Sequence, residues 1–268
     1  MGNYTNTYDV WRNLGKEAWT KVRAEIVGTG DGSTSVFDVS HDNIISGSTA
    51  IYVIGIESTS GVSYNYDDGK ATFGSAPASG SEITLDYGYT EFPDSIAQDI
   101  VSQAEEDMED MTGRKFYEVT SNTEYYDWNS SEDELFLNNY PVTTLTSVAR
   151  NKNGITDTPD WETLSSGIGN DYLFNDEDKA YARIRFIDNK PFTGKDTIKV
   201  EYDYGFTSVP YKAKELAVLL SLRQMINSTI YKSIYTGKDD YSPVRLEEIN
   251  LRIENLTKQL SKQNIESP

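Results

Sequence analysis

The chain has 268 residues, 37% of them hydrophobic and 12% aromatic, enough for a sizeable core in one large domain or two small ones. Its net charge of −19 repels phosphate backbones and argues against nucleic-acid binding by charge. The absence of cysteine excludes disulfides and thiolate metal sites, and the single histidine, His41, excludes a two-histidine metal centre.

The acidic balance has two readings: a solvated surface, or life in high salt, where screening removes self-repulsion. No apolar run approaches the length of a membrane span, and the start "MGNYTNTYDV" has no signal-peptide core, so no membrane association is expected.

In chain order, residues 8–24 have helical spacing, with Val10, Trp11, Leu14, Ala18, Trp19 and Val22 on one face. After the loop "GTGDGSTS" the sequence turns strand-like up to Tyr89. "SVFDV" alternates, "AIYVIGI" reads as one buried strand, and "SYNYDDGKATF" reads as a hairpin turning at Asp68-Gly69. "EITLDYGY" closes this small all-β module.

Pro93 then opens a helix whose buried stripe is predicted at Ile96, Ile100, Ala104, Met108 and Met111. Glu105, Glu106, Asp107, Glu109 and Asp110 are assigned to its outer face, and Gly113 is its cap. "TEYYDW", "ELFLNNYPV", "TLTSVAR", "YARIRFI" and "TIKVEYDYG" are the next strands. Pro210 opens a second, more apolar helix through Ala213, Leu216, Ala217, Leu220 and Met225. A last helix from about Pro243 places Leu246, Ile249, Ile253, Leu256 and Leu260 in an a/d seam, a candidate interface for its own domain or for a neighbour.

One joint occurs twice: "YGYTEFP" from Tyr87 and "YGFTSVP" from Tyr204, each between a strand and a helix. Gene duplication would explain the match. Convergence explains it better if the first strand belongs to the β module and the second to a separate sheet.

Constellations that carry chemistry are sparse. There is no phosphate-cradling Gly-x-x-x-x-Gly-Lys loop and no Gly-x-Ser-x-Gly elbow, and "GTGDG" precedes a strand rather than a helix. The acidic clusters, including Asp176-Glu177-Asp178, lack EF-hand spacing and read as solvated surface. No metal, cofactor or catalytic residue is assigned, and the chain is read as not an enzyme. A carboxylate-based hydrolase is the weakest competing reading.

From Pro93 onward the order of features is more telling. "FPDSIAQDIVSQAEEDMEDMTGRKF", then "LFLNNYPVTTLTSV", "YARIRF" and "VEYDYGFTSVPYKAKELAVLLSLRQM" together resemble the head–tail connector (adaptor) proteins of tailed double-stranded DNA viruses. "YTNTYDVWRNLG" resembles the family's short leading helix. The resemblance covers roughly 1–24 and 91–230. It implies an α+β fold: a connector core (1–24 and 91–240) with two long helices and a small antiparallel sheet. An inserted β module (25–90) and a C-terminal helix and tail (241–268) complete it.

The resemblance also implies a structural virion protein at the head–tail junction, made in the host cytoplasm. Such a protein forms a homo-oligomeric ring, usually twelve-fold, between the portal protein and a downstream connector, stopper or tail protein. DNA passes through without sequence-specific binding. A halophilic archaeal host would suit the acidic balance. The alternative function is a glycan- or receptor-binding decoration protein, with Tyr52, Tyr64, Tyr66 and Phe73 of the β module as a stacking face. Against it, alternating aromatics in strands usually face a core.

Overall fold

A computed structural model describes residues 4–14, 18–58, 60–129, 131–153, 159–188, 190–235 and 243–262. In chain order these form α1 (Thr7–Leu14), β1 (Thr20–Thr29), β2 (Val36–Asp38), β3 (Ala50–Val53), β4 (Ile56–Glu57), β5 (Val62–Asn65), β6 (Lys70–Phe73) and β7 (Glu82–Tyr89). Next come α2 (Asp94–Thr112), β8 (Val119–Trp128), β9 (Glu134–Phe136), β10 (Val142–Asn151), β11 (Trp161–Thr163) and β12 (Tyr172–Leu173). α3 (Asp176–Tyr181), β13 (Arg183–Phe186), β14 (Gly194–Tyr204), α4 (Tyr211–Asn227), α5 (Thr229–Tyr235) and α6 (Pro243–Lys262) complete the series. The fold is α+β, and every sheet is antiparallel.

The chain divides by compactness into two units: residues 1–112 with 211–261, and residues 113–210 with 262–268. The polar break expected at 236–242 lies outside the described residues.

In the first unit, sheet β1-β7-β3-β4 and sheet β2-β6-β5 share a core of Phe37, Ile44, Ile51, Phe73, Leu85 and Tyr87. The hairpin at Asp68-Gly69 forms as predicted, between β5 and β6. Two strand expectations are corrected. Residues 20–24 are strand, not helix, because "TKVRAEIV" alternates polar and apolar residues and pairs with β7. "AIYVIGI" is not one buried strand. Ile54 and Gly55 both have positive φ (52° and 72°) and turn β3 back into β4. Ile54 and Ile56 are left 68% and 74% exposed.

The helices of this unit pack together, with Trp11 edge-on to Phe92 at 5.8 Å between ring centroids. In α4 the predicted stripe Ala213, Leu216, Ala217, Leu220 and Met225 is buried. The stripe of α2 is rotated from the predicted one. Its buried residues are Asp94, Ala97, Val101, Ala104, Glu105, Met108 and Thr112, while Met111 is exposed. Two carboxylates occupy this face because the N-terminal segment and Ser46 supply donors to them. Glu105 Oε1 accepts the backbone N–H groups of Tyr4 (2.8 Å) and Thr5 (2.9 Å). Asp94 Oδ1 accepts from the Thr7 hydroxyl (3.0 Å) and the Ser46 amide (3.0 Å). Buried carboxylates need such donors, and here backbone amides provide most of them. Gly113 caps α2 in the left-handed region, as predicted (φ 68°).

In the second unit, sheet β11-β10-β14-β8 and sheet β12-β13-β9 enclose Trp128, Val148, Ile184, Phe186, Val200 and Tyr202. β11 and β12 carry no pattern of their own and are defined by their partners.

Candidate functional site

The repeated joint resolves into two sheets and two demands. β7 lies in the first unit's sheet and β14 in the second unit's, as convergence requires. A Cβ on Gly88 would meet the Trp19 ring at 2.8 Å, so this glycine makes room for a side chain. Gly205 has φ 102°, and a Cβ there would meet the Tyr117 carbonyl oxygen at 2.0 Å, so it makes room for backbone. Beside it, Phe206 stacks on Phe116, and the Arg114 guanidinium lies 4.5 Å from the Tyr140 ring centroid, 5.1 Å from Phe116 and 5.6 Å from Phe206. Burial lowers the Arg114 pKa while the neighbouring Tyr140 opposes the shift, and the guanidinium donates to the Tyr140 carbonyl at 3.4 Å. The "TGRKF" and "YGF" motifs thus meet in one aromatic cage.

The predicted seam of α6 lies on one face. Ile249, Ile253, Leu256 and Leu260 are buried within the chain and Leu246 is half-buried. Arg252 forms a bidentate pair with Glu215 of α4. The four buried seam residues are covered by the chain's own residues.

His41 sits in the first unit against Tyr87 and Tyr89. Its ring stacks on Tyr89 at 3.8 Å, and Nδ1 lies 2.7 Å from the Tyr87 hydroxyl. That hydroxyl donates its one proton to Glu25, so Nδ1 must be the donor toward Tyr87. Burial pushes the Glu25 pKa up, but bonds from Tyr87 and Ser40 outweigh it and hold the carboxylate below its ordinary range. Burial and Glu25 both push the Tyr87 hydroxyl up, so it stays protonated and keeps its hydrogen bond to Glu25. The array is built to fix the segment around His41 onto β1 and β7. The four aromatics of the glycan reading do not form one face. Tyr64, Tyr66 and Phe73 belong to the module core, with Tyr64 and Tyr66 stacked at 5.6 Å, and Tyr52 lies in the other sheet.

Two clusters in the second unit escaped the sequence reading. Glu124 accepts from Asn139 Nδ2 (2.6 Å), Asn122 Nδ2 (3.1 Å), Asn138 Nδ2 (3.2 Å) and the Tyr126 hydroxyl. Burial raises its pKa, but these bonds prevail and lower it. The two asparagines of the "NNYP" motif therefore serve one carboxylate. Asp178, read as solvated surface, is instead fully buried. It closes a capping box with Asn175 and accepts from Arg183 (3.0 Å) and Arg185 (2.8 Å). Burial opposes its ionisation, but the arginines and the Asn175 amide win and lower its pKa. The signal was present in "YARIRF", whose alternate arginines share a face. Among the described residues, no group of three or more acids or histidines has metal-binding geometry, and no helix is long and apolar enough to cross a membrane.

These features define a mixed α+β protein whose polar chemistry is spent on fixing its own loops and termini. No protein-family model matches the chain, and no curated protein matches it. Among solved structures it is similar to a chain from the neck of an empty GTA particle computed with C6 symmetry. The two share 15% sequence identity at a TM-score of 0.38, over 64% of this chain and 80% of that one.

Proposed function

We propose that this protein is a structural virion component of the head–tail connector class. It forms a ring between the portal of the capsid and the tail, through which DNA passes. The observation that carries the reading is the order of elements after Pro93: α2 ending at Thr112-Gly113-Arg114, then the β9–β10 segment, β13, β14 with its glycine joint, and α4. The motifs that resemble the connector family fall on these elements, and the cage around Arg114 and the Glu124 cluster give two of them a packing role. The proposal includes no catalytic step and no cofactor. The α6 face is buried within the chain, and the proposal puts the ring contacts on other surfaces. An acidic surface favours sliding over sticking for a DNA duplex in a channel.

Co-expression with a portal protein from the same genome, followed by negative-stain microscopy, tests the reading. Rings carrying both proteins are expected. A chain that stays monomeric and never associates with a portal refutes it.

A further inference from the structure

β8 ends its sheet and pairs on one side only, with β14. From Asn122 to Tyr126 its register is unbroken, against Tyr202 to Ile198. Among the described residues, no segment outside the sheet forms a backbone hydrogen bond with residues 119–128. Proteins normally guard such an edge with lysine, proline or a bulge. The first unit's edge strand β1 is guarded, by Lys21, Arg23 and two register shifts. β8 also has two register shifts, but "NTEYY" at 122–126 lies between them and carries no lysine, proline or bulge, and its one charge, Glu124, is taken up by Asn138 and Asn139 of its own chain. At its middle, Tyr125 is 53% exposed although its ring packs 5.8 Å from Trp161 of β11.

We propose that two copies of this chain pair antiparallel through β8, about a two-fold axis at Tyr125. An axis normal to the sheet keeps each face continuous, so paired residues come from the same face. Centring on Tyr125 sets Glu124 opposite Tyr126, Thr123 opposite Asp127 and Tyr125 opposite itself. No like charges then face each other, and the exposed aromatic is covered by its own symmetry mate. Centring on Glu124 would oppose two carboxylates. Centring on Tyr126 would spend the axis on a side chain already packed on the core. The result is one eight-stranded sheet with Trp161, Tyr125, Tyr125 of the second copy and Trp161 of the second copy in a row. This contact is isologous and so differs from the head-to-tail contacts of a ring. It describes the free chain and stands or falls apart from the connector reading.

The cysteine-free sequence makes the axis testable. Tyr125→Cys places two thiols across the axis, where paired Cα atoms are about 4.5–5.5 Å apart, within disulfide reach. Thr123→Cys, on the same face, places its thiols four residues out of register, ~13 Å along the strand. We expect sedimentation of the full-length protein to show a concentration-dependent dimer. Mild oxidation should cross-link Tyr125→Cys at least about ten-fold faster than Thr123→Cys, as only the first pair meets the distance limit. Tyr125→Lys should give a monomer with an unchanged circular dichroism spectrum. Equal cross-linking of the two cysteine variants overturns the proposal. So does a wild-type chain that is monomeric up to about 100 μM, the affinity scale of a weak but specific contact.

Discussion

Replacing Gly205 by alanine asks for a backbone conformation and a space that the fold does not offer. The residue has φ 102°, and the new Cβ would stand 2.0 Å from the Tyr117 carbonyl oxygen and 2.9 Å from its carbon. Left-handed strain costs about 1–3 kcal/mol. Relief of the clash requires moving main chain, which loosens the Gly205 amide bond to the Pro141 carbonyl (2.8 Å) and costs ~1 kcal/mol more. The sum is about 2–4 kcal/mol, or roughly 30- to 1,000-fold in an opening equilibrium. Gly88→Ala meets only the half-buried Trp19 ring, at 2.8 Å, and Ile45 Cδ1 at 3.5 Å. Its cost belongs at the low end of overpacking, about 1 kcal/mol. Native-state amide exchange resolved by segment is the appropriate assay, since two compact units need not open together. Gly205→Ala should accelerate exchange across β8, β10 and β14 and leave β1 and β7 unchanged; Gly88→Ala should do the reverse, more weakly. Equal costs for the two variants, or a loss spread evenly over both units, would refute the assignment of backbone against side chain.

Other expectations come from the buried acids. Glu105→Ala removes the acceptor of the Tyr4 and Thr5 amides. It should speed exchange through residues 4–14 at least about ten-fold, while Glu105→Gln retains a carbonyl acceptor and does less. Asp94 carries a pKa raised mainly by burial, against the bonds from Ser46, Gln98 and Thr7. Its folded pKa lies above the ordinary 3.8, so the ionised form is disfavoured in the fold and its cost grows as pH rises through that window. Asp94→Asn should therefore raise the urea midpoint at neutral pH, and the gain should vanish below about pH 4; a gain that persists in acid would contradict this. The Glu124 pKa is lowered from 4.5, so its contribution is present above that value and is lost as pH falls through the folded pKa. The destabilisation caused by Glu124→Gln should accordingly disappear on acid titration. Asp178→Ala removes a cap and leaves two arginines without their buried carboxylate, a loss of about 3–5 kcal/mol, read as exchange in β13.

The alternating strands and the apolar α4 were legible because a sheet or helix with one dry face writes its period into the residues. β11 and β12 were not legible, since strands of three and two residues are fixed by what they pair with. The face of α2 was misread for a related reason. Periodicity counts apolar residues, whereas Asp94 and Glu105 are buried because donors some fifty to one hundred residues distant reach them. The helical face of α6 was legible, but its burial within the chain was not, because a seam does not state its partner. The carboxylate clusters at Glu124 and Asp178 needed residues from separate strands and loops to meet, which no local pattern records.

Glu105 also sets an order of events during synthesis. The Tyr4 amide bonds to a residue made 101 positions later. At ~5–20 residues per second, the first segment of the chain waits about 5–20 s for its anchor to be translated, and longer for it to leave the ribosome. The segment around Tyr4 thus cannot settle before α2 is made, and until α2 folds it is exposed to whatever else is nearby.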